Sequence, residues 1–462
     1  MADVYDIGLL GAGPGGLAVV EEARALGLSV ICLDARKQAG GTCLHEGCIP
    51  SKALLHGSYL YERTVAGWGG DWGIGVSKAS IDVKALMARK QATVERLARG
   101  ADSLMQGKGS TYVCARGQID KDGDNGFWLV TDKKERFRVK NVIVATGSVS
   151  TSLPFLPLDG EGVVESRGGL GWTSVPRHLA VVGGGYIGLE LGSVWRRLGA
   201  QVSIIEQMDD ILMTMDGDIR VALRRALQQQ GLDMLLQTTV QGYDKVKGGY
   251  RLKLKEKDTT RTLDVSHILV AVGRKPCCEG LGLDELGVVR DERGFIVVDE
   301  TMRTSVAGIW AIGDVVGGLM LAHKADSEAR IAVRAMSGGT TERLLPQHIP
   351  CVVYTHPEVA CVGVGEDALK ADKKAYGKGV AHFRANGRAV AMGADEGFVK
   401  VLRDERDSVV GVHMMGAEVG TVLAEAVAAL RFSASCQDIA MQCQAHPTLN
   451  EALTRAAAAA RL

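Results

Sequence analysis

A chain of 462 residues is too long for one ordinary hydrophobic core and is expected to divide into about three or four domains. Lys plus Arg equals Asp plus Glu, 54 each, so no global charge directs the chain to nucleic acid or to an acidic membrane surface. The 59 glycines cluster in short motifs between apolar runs, and the ten cysteines are scattered apart from Cys43/Cys48 and Cys277/Cys278. The first pattern belongs to a strand–turn–helix protein with close backbone approach to ligands. The second fits a reducing compartment, where a surviving disulfide is usually catalytic. Strand pattern begins almost at once, at Val4, which leaves no room for a signal or transit peptide. No apolar run reaches membrane-spanning length, and Val422 to Leu430 carries Glu425 inside it, so a soluble protein is expected.

Asp6 to Leu10 reads as a buried strand running into Gly11-Ala12-Gly13-Pro14-Gly15-Gly16, then a helix to Leu26-Gly27 and a strand from Ser29 ending at Asp34. Gly11 serves the tight turn, Gly13 close approach of a pyrophosphate, and Gly16 helix–strand packing. The helix N-terminus faces the phosphates and Asp34 accepts from a ribose. Next comes Gly40 to Lys52, in which Cys43 and Cys48 lie five positions apart. That spacing closes a small disulfide loop, and a dithiol beside a bound cofactor passes electron pairs between thiols and that cofactor. Two unpaired buried cysteines remain an alternative. A zinc site needs about four ligands, usually with a second close Cys or His pair, and none stands out.

Val142 to Val144 reads as a strand ending in the small-residue turn Ala145-Thr146-Gly147-Ser148, and Pro154 to Asp159 as a crossing linker. The nucleotide unit then recurs. Leu179 to Val182 leads into Gly183-Gly184-Gly185-Tyr186-Ile187-Gly188, a helix to Leu198-Gly199, and a strand from Val202 ending at Glu206. Gly11 to Asp34 and Gly183 to Glu206 are both 23 positions apart, an internal repeat implying two nucleotide cofactors. Glu206, with Asp209 and Asp210 close behind, would repel a 2′-phosphate, so the second site should prefer NAD(H) to NADP(H). The first site leads directly to the cysteine pair, and a dithiol exchanges electrons with nicotinamide best through a flavin, which places FAD there. Ile268 to Val272 with Gly273-Arg274-Lys275-Pro276 closes the second unit. Ile309 to Asp314 is another buried strand whose terminal acid could hold a flavin ribitol. From about Leu344 the chain alternates strands (Pro350 to Tyr354, Gly397 to Leu402, Val409 to Met414) with helices. Near the end, Glu451 stands five residues after His446 and could orient its imidazole as a base. A surface or capping histidine is the alternative, and nothing in the spacing carries His446 to Cys43.

Together, Gly40 to Lys52, the two glycine motifs, Ala145 to Ser148, Ala311-Ile312-Gly313-Asp314 and His446 to Glu451 resemble the pyridine nucleotide-disulfide oxidoreductases. Within them the resemblance is to the dihydrolipoamide dehydrogenases, the E3 components of 2-oxo acid dehydrogenase complexes, and it covers essentially the whole chain. It implies an α/β fold with two Rossmann-like dinucleotide-binding domains, for FAD and NAD, plus a C-terminal α+β dimerisation domain. The expected boundaries are 1–148 for FAD, 149–275 for NAD, 276–344 for a central segment completing the FAD site, and 345–462 for the interface. By that resemblance Cys43 is the interchange thiol, Cys48 the thiol against the flavin, and Lys52 lies near flavin N5. Gly41, Thr42, Asp34, Gly117, Thr146, Gly147, Ser148, Asp314 and the segment Met320, Leu321, Ala322, His323 would hold FAD. Gly183, Gly185, Gly188, Glu190, Glu206, Val240 and Gly273 would bind NAD, and no metal is expected. His446, paired with Glu451, would act as base from the other subunit of a homodimer.

The implied reaction oxidises protein-bound dihydrolipoamide with NAD+, with lipoyl domains and the E2 or E3-binding protein as partners. The rivals are an NAD(P)H-dependent reductase of another small disulfide, or a mainly structural flavoprotein. The chain departs from the family pattern at Gln444, Asn450 and His45-Glu46, which bears on pKa tuning. Terminal Ala460-Arg461-Leu462 is similar to a peroxisomal address, although a helical tail ending in Ala and Arg is the simpler reading. A bacterial cytoplasm or a mitochondrial matrix fits equally.

Overall fold

The computed structural model describes residues 4–65, 72–123, 126–340 and 343–461. The chain gathers into two compact units. The first comprises Met1–Ala53, Ala85–Thr151 and Gly273–Leu344, and the second Leu54–Lys84, Ser152–Val272 and Leu345–Leu462.

The first unit is built on one sheet. Ser110–Cys114, Val30–Asp34, Val4–Leu10 and Arg136–Val144 run parallel in that order, and Phe127–Thr131 and Gly117–Lys121 extend the sheet antiparallel. Ile309–Ala311 adds a short parallel pairing to Arg136–Val144. Ile7, Leu9, Ile31, Leu33, Val142 and Ile143 are all buried, because parallel strands covered on both faces must be apolar on both. The helix Pro14–Ala25 begins with Pro at its first turn, where no amide hydrogen is needed, and packs against Ala322–Met336.

The second unit repeats the device. Leu232–Leu235, Gln201–Ile205, His178–Val182, His267–Val270 and Val163–Glu165 form a wholly parallel sheet, with the helix Tyr186–Arg197 following the second glycine turn. A three-stranded antiparallel sheet, Thr238–Val246, Gly249–Glu256 and Thr259–Val265, joins it through a shared core of Val182, Ile205, Leu252 and Ile268. The same unit carries a five-stranded antiparallel sheet in the order Cys351–Val353, Glu358–Gly363, Val409–Gly416, Phe398–Arg403, Gly377–His382. Helices Val419–Arg431 and Glu451–Ala459 pack on that sheet over Val399, Val412, Met414, Val422 and Leu453.

Two further contacts organise this unit. The helix Cys48–Val65 begins in the first unit, but its later turns belong to the second: Glu62 pairs with buried Arg197 at 3.2 Å and the Tyr59 ring lies 4.4 Å from that of His356. Lys400, 1% exposed at its side chain, holds Asp216, Asp218 and Glu366 at 2.7 Å each. Burial works against the ammonium, but the three carboxylates outweigh it and hold Lys400 above the ordinary lysine value. Asp216 also caps the helix Gly217–Gln229, so one buried cation ties the nucleotide-fold part of the unit to the five-stranded sheet.

Ala460 follows the last helix and is buried, its carbonyl accepting from Arg403 Nε at 2.7 Å, and Arg461 pairs with Asp407 at 3.2 Å. These two residues of the tail are engaged within the fold, and Leu462 lies outside the described residues. Among the described residues no helix is long and apolar enough to cross a membrane.

Candidate active site

The two glycine turns are superimposable in their chemistry. Gly11 has φ +103° and Gly183 φ +111°, and a Cβ on either would lie 2.4 Å from a carbonyl oxygen, that of Ala145 or of Ala271. A Cβ on Gly16 or Gly188 would lie 2.2 Å from the carbonyl of Gly11 or Gly183. Packing therefore demands the first and third glycines. The second is different: around a Cβ on Gly13 or Gly185 there is nothing within 4 Å. Each middle glycine caps a helix of 12 residues and opens onto free space at its N-terminus, which fits a dinucleotide pyrophosphate at both turns.

The strand-terminal acids are held by the turns themselves. Asp34 accepts from the Ala12 amide at 2.7 Å and the Arg36 amide at 2.8 Å. Glu206 accepts from the Gly184 amide at 2.7 Å and the Met208 amide at 2.8 Å. A carboxylate fixed in this way at a strand end has the placement that a ribose-binding acid requires.

The cysteine segment docks on the first turn. Gly40, at φ +116°, donates its amide to the Ala12 carbonyl at 2.7 Å, and a Cβ on Gly41 would lie 2.6 Å from Gly13 Cα. Thr42 and Cys43 follow in the short helix Gly41–Glu46, and Cys48 is the first residue of the helix Cys48–Val65. The Cys43 and Cys48 side chains are hydrogen-bonded to each other. That hydrogen bond, together with burial, pushes the Cys43 thiol well above the ordinary thiol range, while the charge of Lys52 opposes the shift. Ser51 Oγ donates to the Cys48 carbonyl at 3.0 Å. The His45-Glu46 departure in the loop is engaged locally: Glu46 takes both Arg36 guanidinium nitrogens, at 3.0 and 2.9 Å, and His45 Nε2 lies 2.8 Å from the Ala39 carbonyl.

The other residues expected around a flavin converge in the first unit. Ser148 Oγ donates to Asp314 Oδ2, and Arg274 donates to Ser148 Oγ and to its carbonyl at 2.6 Å each. Thr146 Oγ1 donates to the Cys277 carbonyl at 2.6 Å, and the Cys277 amide donates to Gly147 at 3.0 Å. A Cβ on Gly117 would lie 2.6 Å from Leu33 Cδ1 and 2.7 Å from Leu10 Cδ2, so a side chain here would have to displace two leucine methyls. Met320 and Leu321 lead into the helix that starts at Ala322 and His323. Beneath them the buried pair Lys324–Glu328, 2.6 Å apart, fixes Gly313, whose amide donates to Glu328 at 2.7 Å. Arg274, Lys324 and Glu328 have no role in the sequence reading. The one available signal was the Lys/Glu pair four apart on the helix after His323.

Of the remaining residues expected to bind NAD, Glu190 is 4% exposed and accepts from the Tyr354 amide at 3.1 Å. Val240 is 6% exposed, with its side chain in the core beside Leu156 and Tyr250. The structure brings neither side chain to an open surface. Gly273, at φ +118°, accepts from the Thr151 amide at 3.0 Å.

His446 Nδ1 lies 3.1 Å from Glu451 Oε2, and the imidazole is 75% exposed. The two departures from the family pattern flank it and share one acceptor, since Gln444 donates to Glu425 Oε1 and Asn450 to Glu425 Oε2, both at 2.7 Å. Glu425, the lone acid inside an apolar helix, thus anchors both sides of the segment that carries His446.

Comparison with known proteins gives concordant findings. Residues 5–329 match the family described as pyridine nucleotide-disulphide oxidoreductase, and residues 349–457 match the dimerisation domain of that name. The chain is 41% identical over 460 residues to dihydrolipoyl dehydrogenase 3 of Pseudomonas aeruginosa, covering 99% of this chain and 98% of that one. It is 40% identical to mitochondrial dihydrolipoyl dehydrogenase 2 of Arabidopsis thaliana, covering 99% and 90%. Among solved structures, LpdA from Mycobacterium tuberculosis superposes with a TM-score of 0.91 at 24% identity over 98% of this chain and 99% of that one, a likeness of fold.

Proposed function

This chain belongs to the pyridine nucleotide-disulphide oxidoreductase family, and from that premise we propose that it oxidises dihydrolipoamide to lipoamide with NAD+ as acceptor, using FAD. The observation that carries the reading is the docking of the Cys43–Cys48 segment on Gly13, which sets a redox dithiol beside an open, phosphate-competent helix N-terminus. The dimerisation domain makes the enzyme a homodimer.

The roles of the residues follow. The N-terminal turns at Gly13 and Gly185 receive the pyrophosphates of FAD and NAD, and Asp34 and Glu206 receive their riboses. Ser148 and Asp314, braced by Arg274, and the Thr146–Gly147 turn hold the rest of the flavin. When bound, FAD supplies a two-electron carrier between the thiols and the nicotinamide.

In the oxidised enzyme the partner subunit's His446 takes the proton of a dihydrolipoamide thiol. The resulting thiolate attacks Cys43 Sγ, forming a mixed disulfide and releasing Cys48 as thiolate. The second substrate thiol then attacks the substrate sulfur of that mixed disulfide and passes its proton to the departing Cys43 sulfur, so that lipoamide leaves, Cys43 becomes a thiol and the first proton stays on His446 of the partner subunit. One disulfide is reduced and one formed, and the enzyme is left with Cys43 as thiol and Cys48 as thiolate. Lipoyl domains of 2-oxo acid dehydrogenase complexes are the source of the substrate.

Anaerobic addition of dihydrolipoamide to the yellow holoenzyme, followed by NAD+, tests the proposal. A long-wavelength thiolate–flavin absorbance band should appear and then disappear as NADH forms. If dihydrolipoamide leaves the flavin spectrum unchanged while NADH or NADPH reduces the flavin, the substrate assignment falls and reduction of another small disulfide takes its place.

A further inference from the structure

The second unit contains a cysteine pair that the reaction does not use. Cys351 and Cys361 lie on the antiparallel strands Cys351–Val353 and Glu358–Gly363, whose register pairs Cys351 with Cys361, Val352 with Ala360 and Val353 with Val359. Residues directly opposite in such a ladder share a face, with Cα atoms about 4.5–5.5 Å apart. A disulfide spans about 4.4–6.8 Å between Cα atoms. The two thiols are free, half-buried and hydrogen-bonded to each other.

The surroundings favour a bond between them. Cys361 Sγ also lies 3.3 Å from Met215 Sδ, a weak acceptor that competes little for the thiol. Neither strand needs to move. Glu358–Gly363 is pinned on its other side by Val409–Gly416, and the intervening turn is held where Tyr354 donates to Glu190 at 3.1 Å and Gln230 donates to the His356 carbonyl at 2.6 Å. Cys351 sits on the edge strand of the sheet and is half-buried. Adjacent Cys277 and Cys278 offer no such arrangement, since Cys278 is packed in the core beside Leu281.

We infer that Cys351 and Cys361 are a second redox-active pair, forming a reversible cross-strand disulfide by exchange with a low-molecular-weight disulfide such as glutathione disulfide. Cys351 attacks one glutathione sulfur, making a mixed disulfide, and its proton goes to the glutathione that leaves as a thiol. Cys361 then attacks Cys351 Sγ, closing the protein disulfide, and its proton goes to the second glutathione as that leaves. Two protein thiols are oxidised, one disulfide is reduced, and no other oxidant enters. Cys351 is the attacking residue because it lies on the edge strand, whereas Cys361 lies on a strand paired on both sides.

The test incubates the holoenzyme with glutathione disulfide, quenches with acid, alkylates under denaturing conditions and maps the unreduced peptides by mass. A linked peptide containing Cys351 and Cys361 should replace most of the alkylated pair and disappear with dithiothreitol. In C361S, Cys351 should instead retain a glutathione adduct. Recovery of both cysteines as alkylated thiols overturns the inference, and so does a lasting glutathione adduct on Cys351 with Cys361 free in the unmutated enzyme. The linkage is read by mass, so it stands or falls independently of dihydrolipoamide turnover.

Discussion

His446 Nδ1 is committed to Glu451 Oε2 at 3.1 Å, while the other oxygen of Glu451 accepts the Thr448 amide at 2.8 Å. The Thr448 amide and then the imidazole hold the Glu451 carboxyl below the usual carboxylate range, so it is ionised wherever the enzyme works. With Nδ1 engaged, the proposed base role falls to Nε2. His446→Gln should lower kcat by about 10²–10⁴-fold, the span of a general base. Glu451→Gln should cost less and shift the pH profile of kcat, because the imidazole remains but its orienting charge is gone. Steady-state kinetics at matched FAD content checks both, and an unchanged kcat in His446→Gln removes it from the base role.

The glycine turns separate binding from folding. Gly185→Ala places a methyl in open space and should leave the thermal midpoint unchanged while raising the KM for NAD+ by about 10-fold or more, a misfit of about 1.4 kcal/mol. Gly188→Ala places a methyl 2.2 Å from the Gly183 carbonyl and should destabilise the fold, by about 1–3 kcal/mol for overpacking. Thermal denaturation and NAD+ titration of the two variants distinguish these outcomes. Equal KM values for Gly185→Ala and the unmutated enzyme argue against a pyrophosphate at that turn.

Cys48→Ser removes one sulfur of the pair and leaves the docking contacts of Gly40 and Gly41 in place. Turnover of dihydrolipoamide should fall to background while FAD content and dimer mass stay as in the parent. Retained turnover would sink the dithiol mechanism, and lost FAD would show that Cys48 supports the fold rather than the chemistry.

Lys400 predicts a stability phenotype with a defined pH window. Burial opposes ionisation of Asp216 and Glu366. His413 and Lys400 at the first, and Lys400 with Lys370, Tyr376 and Lys378 at the second, nonetheless hold both below their ordinary values. A carboxylate depressed in the folded state contributes fully above its unfolded pKa, about 4, and that contribution is lost as pH falls through the folded value. Raised Lys400 contributes fully below about pH 10.4 and loses its contribution as pH rises through its own folded value. Lys400→Met strands the buried carboxylates and should cost about 3–5 kcal/mol at neutral pH, with a smaller deficit below about pH 4. Thermal midpoints of both proteins from pH 3 to 8 check this, and parallel curves would exclude the cluster as the cause.

Several features were legible in the sequence because they are local. A strand, a glycine turn, a helix and a terminal acid fit within the 23 positions from Gly11 to Asp34 and again from Gly183 to Glu206, and each residue type answers to a steric or hydrogen-bonding need of its neighbours. The cysteine spacing is equally short-range, whereas of the acids behind Glu206 the fold buries Asp210 and pairs it with Arg224 at 3.3 Å. Tertiary structure alone decided how those parts are joined. Arg274 reaches Ser148 across 126 positions, Lys400 reaches Asp216 across 184, and Glu425 gathers Gln444 and Asn450 from another segment. It turned Val240 into the core and set Cys351 opposite Cys361 through strand register. Side-chain pairing at such separations depends on which faces pack and on a register that one residue of slip would reverse. Neither is written in composition or spacing.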